Sequence, residues 1–205
     1  MKHHQLNRGL LLCWGAILIF ATGCAFGTRH AQITYPPVGE TENLAAAPPA
    51  GSSRGRIALQ PFQDGRGDKS LVGNVRNGLG MKTADVVCDN ADLAELVTYA
   101  VRTELRKAGY EVVDVKSSNS NGTLVLSGSL TEMYCDAYFA YDGRVTLSVR
   151  IERDGRQVLQ GDFAGKGSVG MNWAATGSSY GDSISLALKQ AIDAMIRDLP
   201  DALKD

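Results

Sequence analysis

The chain has 205 residues, enough for one domain of ordinary size. Its 21 basic and 22 acidic residues give a net charge of -1, which excludes the strongly basic surface that binds nucleic acid. All three histidines lie within the first thirty residues, so a domain built from the rest would have neither histidine-based catalysis nor histidine-ligated metal sites.

The N-terminus has the pattern of a bacterial lipoprotein signal. A basic start is followed by an apolar run from Leu10 to Phe20 and by small residues immediately before Cys24. This order predicts a signal peptide over residues 1–23 and a lipid group, with palmitate among its acyl chains, on Cys24. Ala25 follows in place of the aspartate that retains such proteins at the inner membrane. The sequence therefore predicts attachment to the periplasmic face of the outer membrane.

The next stretch, residues 24–53, holds four of the six prolines among short runs of alanine, glycine and serine. It has too little periodic apolar surface to pack, which predicts a tether between lipid and domain. Ile33 and Tyr35 are its candidates for a short strand. A single globular domain is expected over residues 54–205.

The first part of that domain has strand and helix signals. Arg56–Phe62 and Leu71–Val75 are short apolar runs that predict strands, and Asn77-Gly78 predicts a tight turn. Apolar residues then recur at helical spacing from Leu93 to Ala108, with Gly109 placed to end the helix. Two side chains can cap its start, Asn90 or Asp92.

The second part predicts mostly strands. Tyr110–Val115 forms one, and alternating apolar residues predict two more over 124–131 and 145–152. Asp154-Gly155 is a hairpin signal that joins the last of these to a strand over Gln157–Phe163.

The C-terminal region begins with Gly161–Ser168, which predicts a strand that leads into a glycine-rich loop. A second amphipathic helix is expected from Ile184 to Leu199, ending at Pro200 and capped by Asp182 or Ser183. The whole order predicts an α+β fold, with both helices on one face of a mainly antiparallel sheet.

Two cysteines, Cys88 and Cys135, remain after the signal region. An oxidising periplasm favours a disulfide between them. The alternative is two independent buried thiols, because free cysteine is among the most buried residue types.

Aromatic residues mark a candidate partner-binding surface. Tyr138 and Tyr141 belong to a cluster with Phe139, and Trp173 lies in a later loop rich in small residues. Tyrosine and tryptophan are enriched at protein interfaces. Core packing is the alternative for most of the cluster.

Catalytic signals are weak. A hydrolase that uses carboxylates alone could draw on Asp64 with Asp85, or on Glu132 with Asp136. No motif for a metal or a cofactor is present, and no cofactor is expected.

One longer motif carries a family resemblance. Val72–Val87, an amphipathic helix after it, and Arg106–Val112, together with the lipoprotein signal, make residues 56–200 resemble the YajG-type bacterial lipoproteins. The resemblance implies an envelope lipoprotein and supplies no catalytic residue.

The sequence as a whole predicts a lipid-anchored, periplasm-facing protein that acts as a non-enzymatic binding or assembly module. Its expected partners are the membrane, through the anchor, and another envelope protein, with no nucleic acid. The alternatives are an accessory subunit of an envelope transport or secretion apparatus and the carboxylate-based cell-wall hydrolase.

Overall fold

The computed structural model describes residues 27–36, 54–89, 92–115, 123–170 and 177–202. These residues form one mixed sheet and two helices, which confirms the predicted α+β class. The strands are β1 (Gly27–Ala31), β2 (Arg56–Leu59), β3 (Gln63–Asp64), β4 (Leu71–Arg76), β5 (Lys82–Cys88), β6 (Glu111–Asp114), β7 (Leu124–Ala137), β8 (Ala140–Arg153) and β9 (Arg156–Gly170); the helices are α1 (Leu93–Lys107) and α2 (Gly177–Ala202).

Three long antiparallel strands, β7, β8 and β9, form one side of the sheet, with β9 at its edge. The predicted hairpin turn joins β8 to β9, where Asp154 has φ 49° and Gly155 has φ 77°. Two successive residues with positive φ match the twist of a two-residue hairpin, and Asp-Gly is a sequence that tolerates them. The hairpin prediction is therefore confirmed.

The other edge of β7 pairs with three short strands placed end to end. β2, β3 and β4 each run parallel to β7 at successive positions along it. β6 then adds beside β2, while β5 and β1 add in turn beside β4. These parallel pairs make the sheet mixed, a feature that strand patterns alone did not predict.

Both helices pack over the same core. Asp92 caps α1 by accepting hydrogen bonds from the backbone N–H groups of Ala94 and Glu95, and Gly109 takes φ 91° just after its end. The predictions for this helix are confirmed, with Asp92 as its cap. Within the described ranges, no helix has the length and apolarity needed to cross a membrane.

α2 is longer than predicted: it begins at Gly177, before the expected cap at Asp182 or Ser183, and continues past Pro200 to Ala202. It also lies very close to the sheet. A Cβ atom added to Gly143 would lie 2.5 Å from the carbonyl oxygen of Ser183, and one on Gly165 would collide with that of Ala187. Gly165 and Gly167 were expected in a loop, but β9 continues through them to Gly170. Glycines are required here because the helix backbone occupies the space of side chains.

The N-terminal boundary of the domain also differs from the prediction. Residues 27–36, expected in the tether, include β1, which pairs in parallel with β5. Ala31 and Ile33 are fully buried, and Ser185 Oγ donates a hydrogen bond to the carbonyl oxygen of Thr34. The domain consequently contains a histidine, His30, contrary to the expectation that it has none.

The two cysteines do not form a disulfide. Both are free thiols, and β4 lies between the strand of Cys88 and the strand of Cys135. Two strand spacings amount to roughly 10 Å, beyond the Cα separation that a disulfide can span. Burial raises the pKa of Cys135 to about 12, although Ser183 Oγ donates a hydrogen bond to its sulfur at 3.2 Å.

Candidate functional site

The candidate site lies at the end of the sheet where β7 turns into β8. Four residues from neighbouring strands form one row across the sheet there, in the order Gly27, Ala84, Val75 and Ala137. Beyond this row lie two adjacent turns, one over residues 77–81 and one over residues 138–139. The topology thus places the start of β1 and both turns at the same end of the molecule.

The turn over residues 77–81 is fixed by local hydrogen bonds. The Oδ1 atom of Asn77 accepts hydrogen bonds from the N–H groups of Leu79 and Met81, each at 3.0 Å. Gly80 has φ 79°, a backbone angle that residues other than glycine rarely adopt. Arg76 Nη1 donates to the carbonyl oxygen of Gly80 at 3.0 Å. The turn is therefore a preformed structure rather than a loose loop.

The second turn is attached to the first. The hydroxyl group of Tyr138 donates a hydrogen bond to the carbonyl oxygen of Gly78 at 3.2 Å. The rings of Tyr138 and Phe139 lie with centroids 3.9 Å apart. Arg76 Nε also binds Asp136 Oδ1 at 2.8 Å, which ties the turn over residues 77–81 to β7.

The two turns expose large apolar side chains. Leu79 is 82% exposed, Met81 56% and Phe139 76%. Among the described residues only Tyr99 and Leu186 are other large hydrophobic residues with comparable exposure. We call the surface formed by Leu79, Met81, Tyr138 and Phe139 the turn surface.

A groove opens beside the turn surface. Its volume is about 720 Å³, within the range of small-ligand pockets. It is bounded by β1, by both turns and by the start of α2. Its lining consists of Thr28, Arg29, His30, Val75, Arg76, Asn77, Gly78, Ala137, Tyr138, Phe139, Tyr141, Gly177 and Tyr180.

Two buried tyrosines form the inner wall of the groove. The rings of Tyr141 and Tyr180 meet edge to face, with centroids 4.8 Å apart. Burial raises the pKa of both phenols above the ordinary value, so both are neutral at physiological pH. The Tyr180 hydroxyl donates a hydrogen bond to the carbonyl oxygen of Asn74 at 3.5 Å. This wall is apolar and uncharged.

The structure separates the residues predicted to bind a partner. Tyr138 lies on the rim of the groove, whereas Tyr141 is only 2% exposed and belongs to its inner wall. Trp173 lies outside the described residues, as does Cys24. Gly170, the last residue of β9, pairs with Ala140 beside the second turn.

The four candidate catalytic acids are all engaged in ion pairs. Asp64 binds Arg66, and Asp85 binds Lys82. Glu132 and Asp136 bind Arg144 and Arg76, respectively. Four positions along one strand place Glu132 and Asp136 roughly 13 Å apart. That separation joins the two Cα atoms, and the carboxylates themselves bind different arginines, Arg144 and Arg76.

The histidine that joins the domain is on the surface. His30 Nδ1 lies 2.6 Å from Asp89 Oδ1, and both side chains are largely exposed. In the ranges that the structure covers, no three His, Cys, Asp or Glu side chains are grouped so as to hold a metal ion.

The sequence analysis did not identify Leu79, Met81 or Tyr180 as site residues. Leu79 and Met81 carried a usable signal, because large apolar side chains in a turn rich in glycine and asparagine lack an obvious core to pack against. Tyr180 carried none, since its contact with Tyr141 depends on how α2 lies across the sheet.

Comparison with known proteins shows the fold. The sequence matches no protein-family model and no curated protein. The structure of XCC0632 from Xanthomonas campestris, a DUF330 protein, is similar at a TM-score of 0.50 and 13% identity, covering 85% of this chain and 94% of that one. A second structure, of an uncharacterized protein, has a TM-score of 0.51 and 9% identity, covering 84% and 99%.

A third similar structure is more distant. The lipoprotein GNA1162 from Neisseria meningitidis has a TM-score of 0.34 and 12% identity, over 72% of this chain and 99% of that one. At these identities the similarity with the first two structures concerns the fold alone, and the third is too distant to support an inference.

Proposed function

We propose that this chain is a lipid-anchored protein of the outer membrane, facing the periplasm, that acts by binding another component of the envelope and not by catalysis. The observation that carries the proposal is the turn surface, with its exposed Leu79, Met81 and Phe139 beside an apolar groove. The lipoprotein signal before Cys24 and the resemblance to YajG-type lipoproteins support the location.

The turn surface favours binding because its exposed side chains are held in place. A flexible loop could fold its apolar residues inward, but hydrogen bonds to Asn77 and Arg76 fix the turn that carries Leu79 and Met81. Contiguous exposed apolar residues on a soluble domain usually mark an interaction site. A fixed turn also loses little conformational entropy when it binds.

The residues that line the groove favour binding over catalysis. No carboxylate and no cysteine is found among its described lining residues, and its tyrosines Tyr141 and Tyr180 have raised pKa values. General acid–base catalysis needs a group whose pKa lies near the working pH. The one histidine among these lining residues, His30, has a mostly exposed side chain that pairs with Asp89.

The anchor is tested by Cys24→Ala. We expect palmitate labelling to be lost and the variant to accumulate as soluble or uncleaved chain, because the acyl chains have no other acceptor in the proposed signal. Cys13→Ala, within the apolar run of the signal, is the matched control and should be labelled like the wild type. Labelled, membrane-bound Cys24→Ala protein would contradict the anchor.

The binding surface is tested by photocrosslinking in living cells. A photoreactive amino acid at Leu79 or Phe139 should yield crosslinked envelope components, whether protein or lipid. The control position is Tyr99, which is 45% exposed on α1, a helix that packs against β3, β6, β7 and α2. Equal yields at all three positions would contradict the proposed surface. A crosslinked transport or secretion protein would instead assign the accessory-subunit alternative.

A further inference from the structure

We propose that the turn surface docks on the bilayer itself, with Leu79, Met81 and Phe139 inserted at the interface of the membrane that holds the lipid anchor. This inference rests on the proposed anchor at Cys24 and names the partner of the surface described above. The partner is the boundary between lipid headgroups and acyl chains.

The first argument is the length of chain between anchor and domain. β1 begins at Gly27, so only Ala25 and Phe26 separate the domain from Cys24. Three residues span at most about 11 Å when fully extended. A domain tethered by the predicted segment of thirty residues could turn freely, but one attached this closely must keep the start of β1 near the membrane.

The second argument is the position of the two turns relative to Gly27. Gly27 lies in the row that also contains Val75 and Ala137, and both turns extend past that row. Asn77 and Phe139 each lie two residues beyond it, or roughly 7 Å along the strand direction. The turns therefore extend past Gly27 by a distance similar to the one that Cys24 can reach from Gly27. A membrane that holds Cys24 lies within reach of both turns.

The third argument is chemical. Leu79, Met81 and Phe139 are aliphatic, thioether and aromatic side chains, the types that insert into the headgroup and acyl boundary by about 5 to 10 Å in interfacial proteins. Two cations just behind them are paired within the domain, since Arg76 binds Asp136 and Lys82 binds Asp85. The contact should accordingly depend on apolar insertion and change little with salt.

The fourth argument is the contrast with the rest of the sheet. The face opposite the helices carries ion pairs and polar side chains, among them Arg144 with Glu132 and Ser168 with Asp142. Charged and polar side chains of this kind favour contact with water over contact with lipid. The three most exposed large apolar side chains of the described residues, Leu79, Met81 and Phe139, lie at the end of the molecule from which the anchor starts.

The test uses the full lipidated chain, purified and reconstituted into vesicles of phosphatidylethanolamine and phosphatidylglycerol. A diazirine amino acid is placed at Leu79, Met81 or Phe139, with Tyr99 as the control position. Because these side chains are exposed, the replacement should leave the fold intact, which circular dichroism checks. We expect lipid adducts, identified by mass spectrometry, to be at least about fivefold more abundant at the three turn positions than at Tyr99. The ratio of lipid adducts at the turn positions to those at Tyr99 should stay the same at high salt.

The outcomes separate this inference from the proposed function. Lipidated protein with equal lipid adducts at Tyr99 and at the turn positions would overturn docking while the anchor stands. A chain whose mass shows no lipid on Cys24 would overturn the anchor and the inference together. If photocrosslinking in cells at Leu79 or Phe139 yields mainly a protein adduct, the surface binds a protein instead, and the bilayer is not its partner.

Discussion

The ion pair of Asp64 and Arg66 shows how single residues hold the loop between β3 and β4. Arg66 is buried and Asp64 is partly buried, with Arg66 Nη2 lying 2.8 Å from Asp64 Oδ2. The guanidinium also donates hydrogen bonds to the carbonyl oxygens of Leu71 and Lys69. Burial alone would raise the pKa of Asp64, but hydrogen bonds and charge from Arg66 outweigh it and lower the pKa below its ordinary value.

Asp64→Asn should destabilise the domain by about 3 to 5 kcal/mol, because it leaves the buried Arg66 charge without its partner. Since the folded pKa is lowered, the wild-type contribution is present above the unfolded pKa near 4 and is lost as the pH falls through the folded value. Urea unfolding at pH 7 and pH 3 should therefore show a smaller difference between the variant and the wild type at pH 3. Asp162→Asn, at an exposed position of β9, is the control. If the stability difference between Asp64→Asn and the wild type is the same at pH 7 and pH 3, the proposed role of the Asp64 charge is wrong.

The free thiols lead to a second prediction for single residues. With its pKa raised by burial, Cys135 is almost entirely protonated at pH 8 and closed to solvent, so iodoacetamide should modify it only after unfolding. Denatured protein kept without reductant should take up the reagent at both Cys88 and Cys135. Modification that requires prior reduction would show that the two cysteines are bonded after all.

At the scale of elements, the contact between α2 and the sheet depends on glycine. Gly165→Ala should lower the free energy of unfolding by about 2 to 3 kcal/mol or more, because the new methyl group meets the backbone of Ala187 and Ala191. Gly161→Ala is the matched control on the same strand: its Cβ would make only ordinary contacts with the Phe163 ring, at 3.7 Å and beyond. Similar unfolding midpoints for both variants would mean that α2 does not lie this close.

The same contact explains which elements the sequence could predict. α1 and the hairpin of β8 and β9 each carry a complete local signal, in the form of periodic apolar residues, a cap or an Asp-Gly turn, and both predictions were correct. The second half of β9 has small residues where a helix backbone approaches, so its pattern resembles that of a loop. Where two backbones approach closely, the sequence has small residues and no periodic apolar pattern. Only the packed structure shows why those residues are small.

At the scale of the whole molecule, the candidate site was only partly predictable for a related reason. Tyr138 was selected because aromatic residues cluster around it, and it lies on the rim of the groove. The turn that carries Leu79 and Met81 lies beside Tyr138 because β4 runs parallel to β7 in one particular register. When two strands distant in sequence pair in parallel, the sequence of neither strand indicates its partner or its register. The domain boundary was missed likewise, since β1 has five residues and takes its partner from β5.

The segment before the predicted boundary should therefore be needed for stability. A chain that starts at Arg54 lacks the buried Ala31, Ile33 and Tyr35, and it leaves β5 as an unpaired sheet edge. Burial contributes roughly 1.5 to 3 kcal/mol per large apolar side chain, so the loss should reach several kcal/mol out of a typical total of about 5 to 15. Compared with a chain that starts at Ala25, it should unfold at a much lower temperature and aggregate through the open edge, as followed by circular dichroism and light scattering. Gln32→Ala in the longer chain changes an exposed side chain of the same segment and should be nearly neutral. Equal midpoints for the two chains would mean that β1 is not part of the folded domain, and the short distance between anchor and sheet would no longer hold.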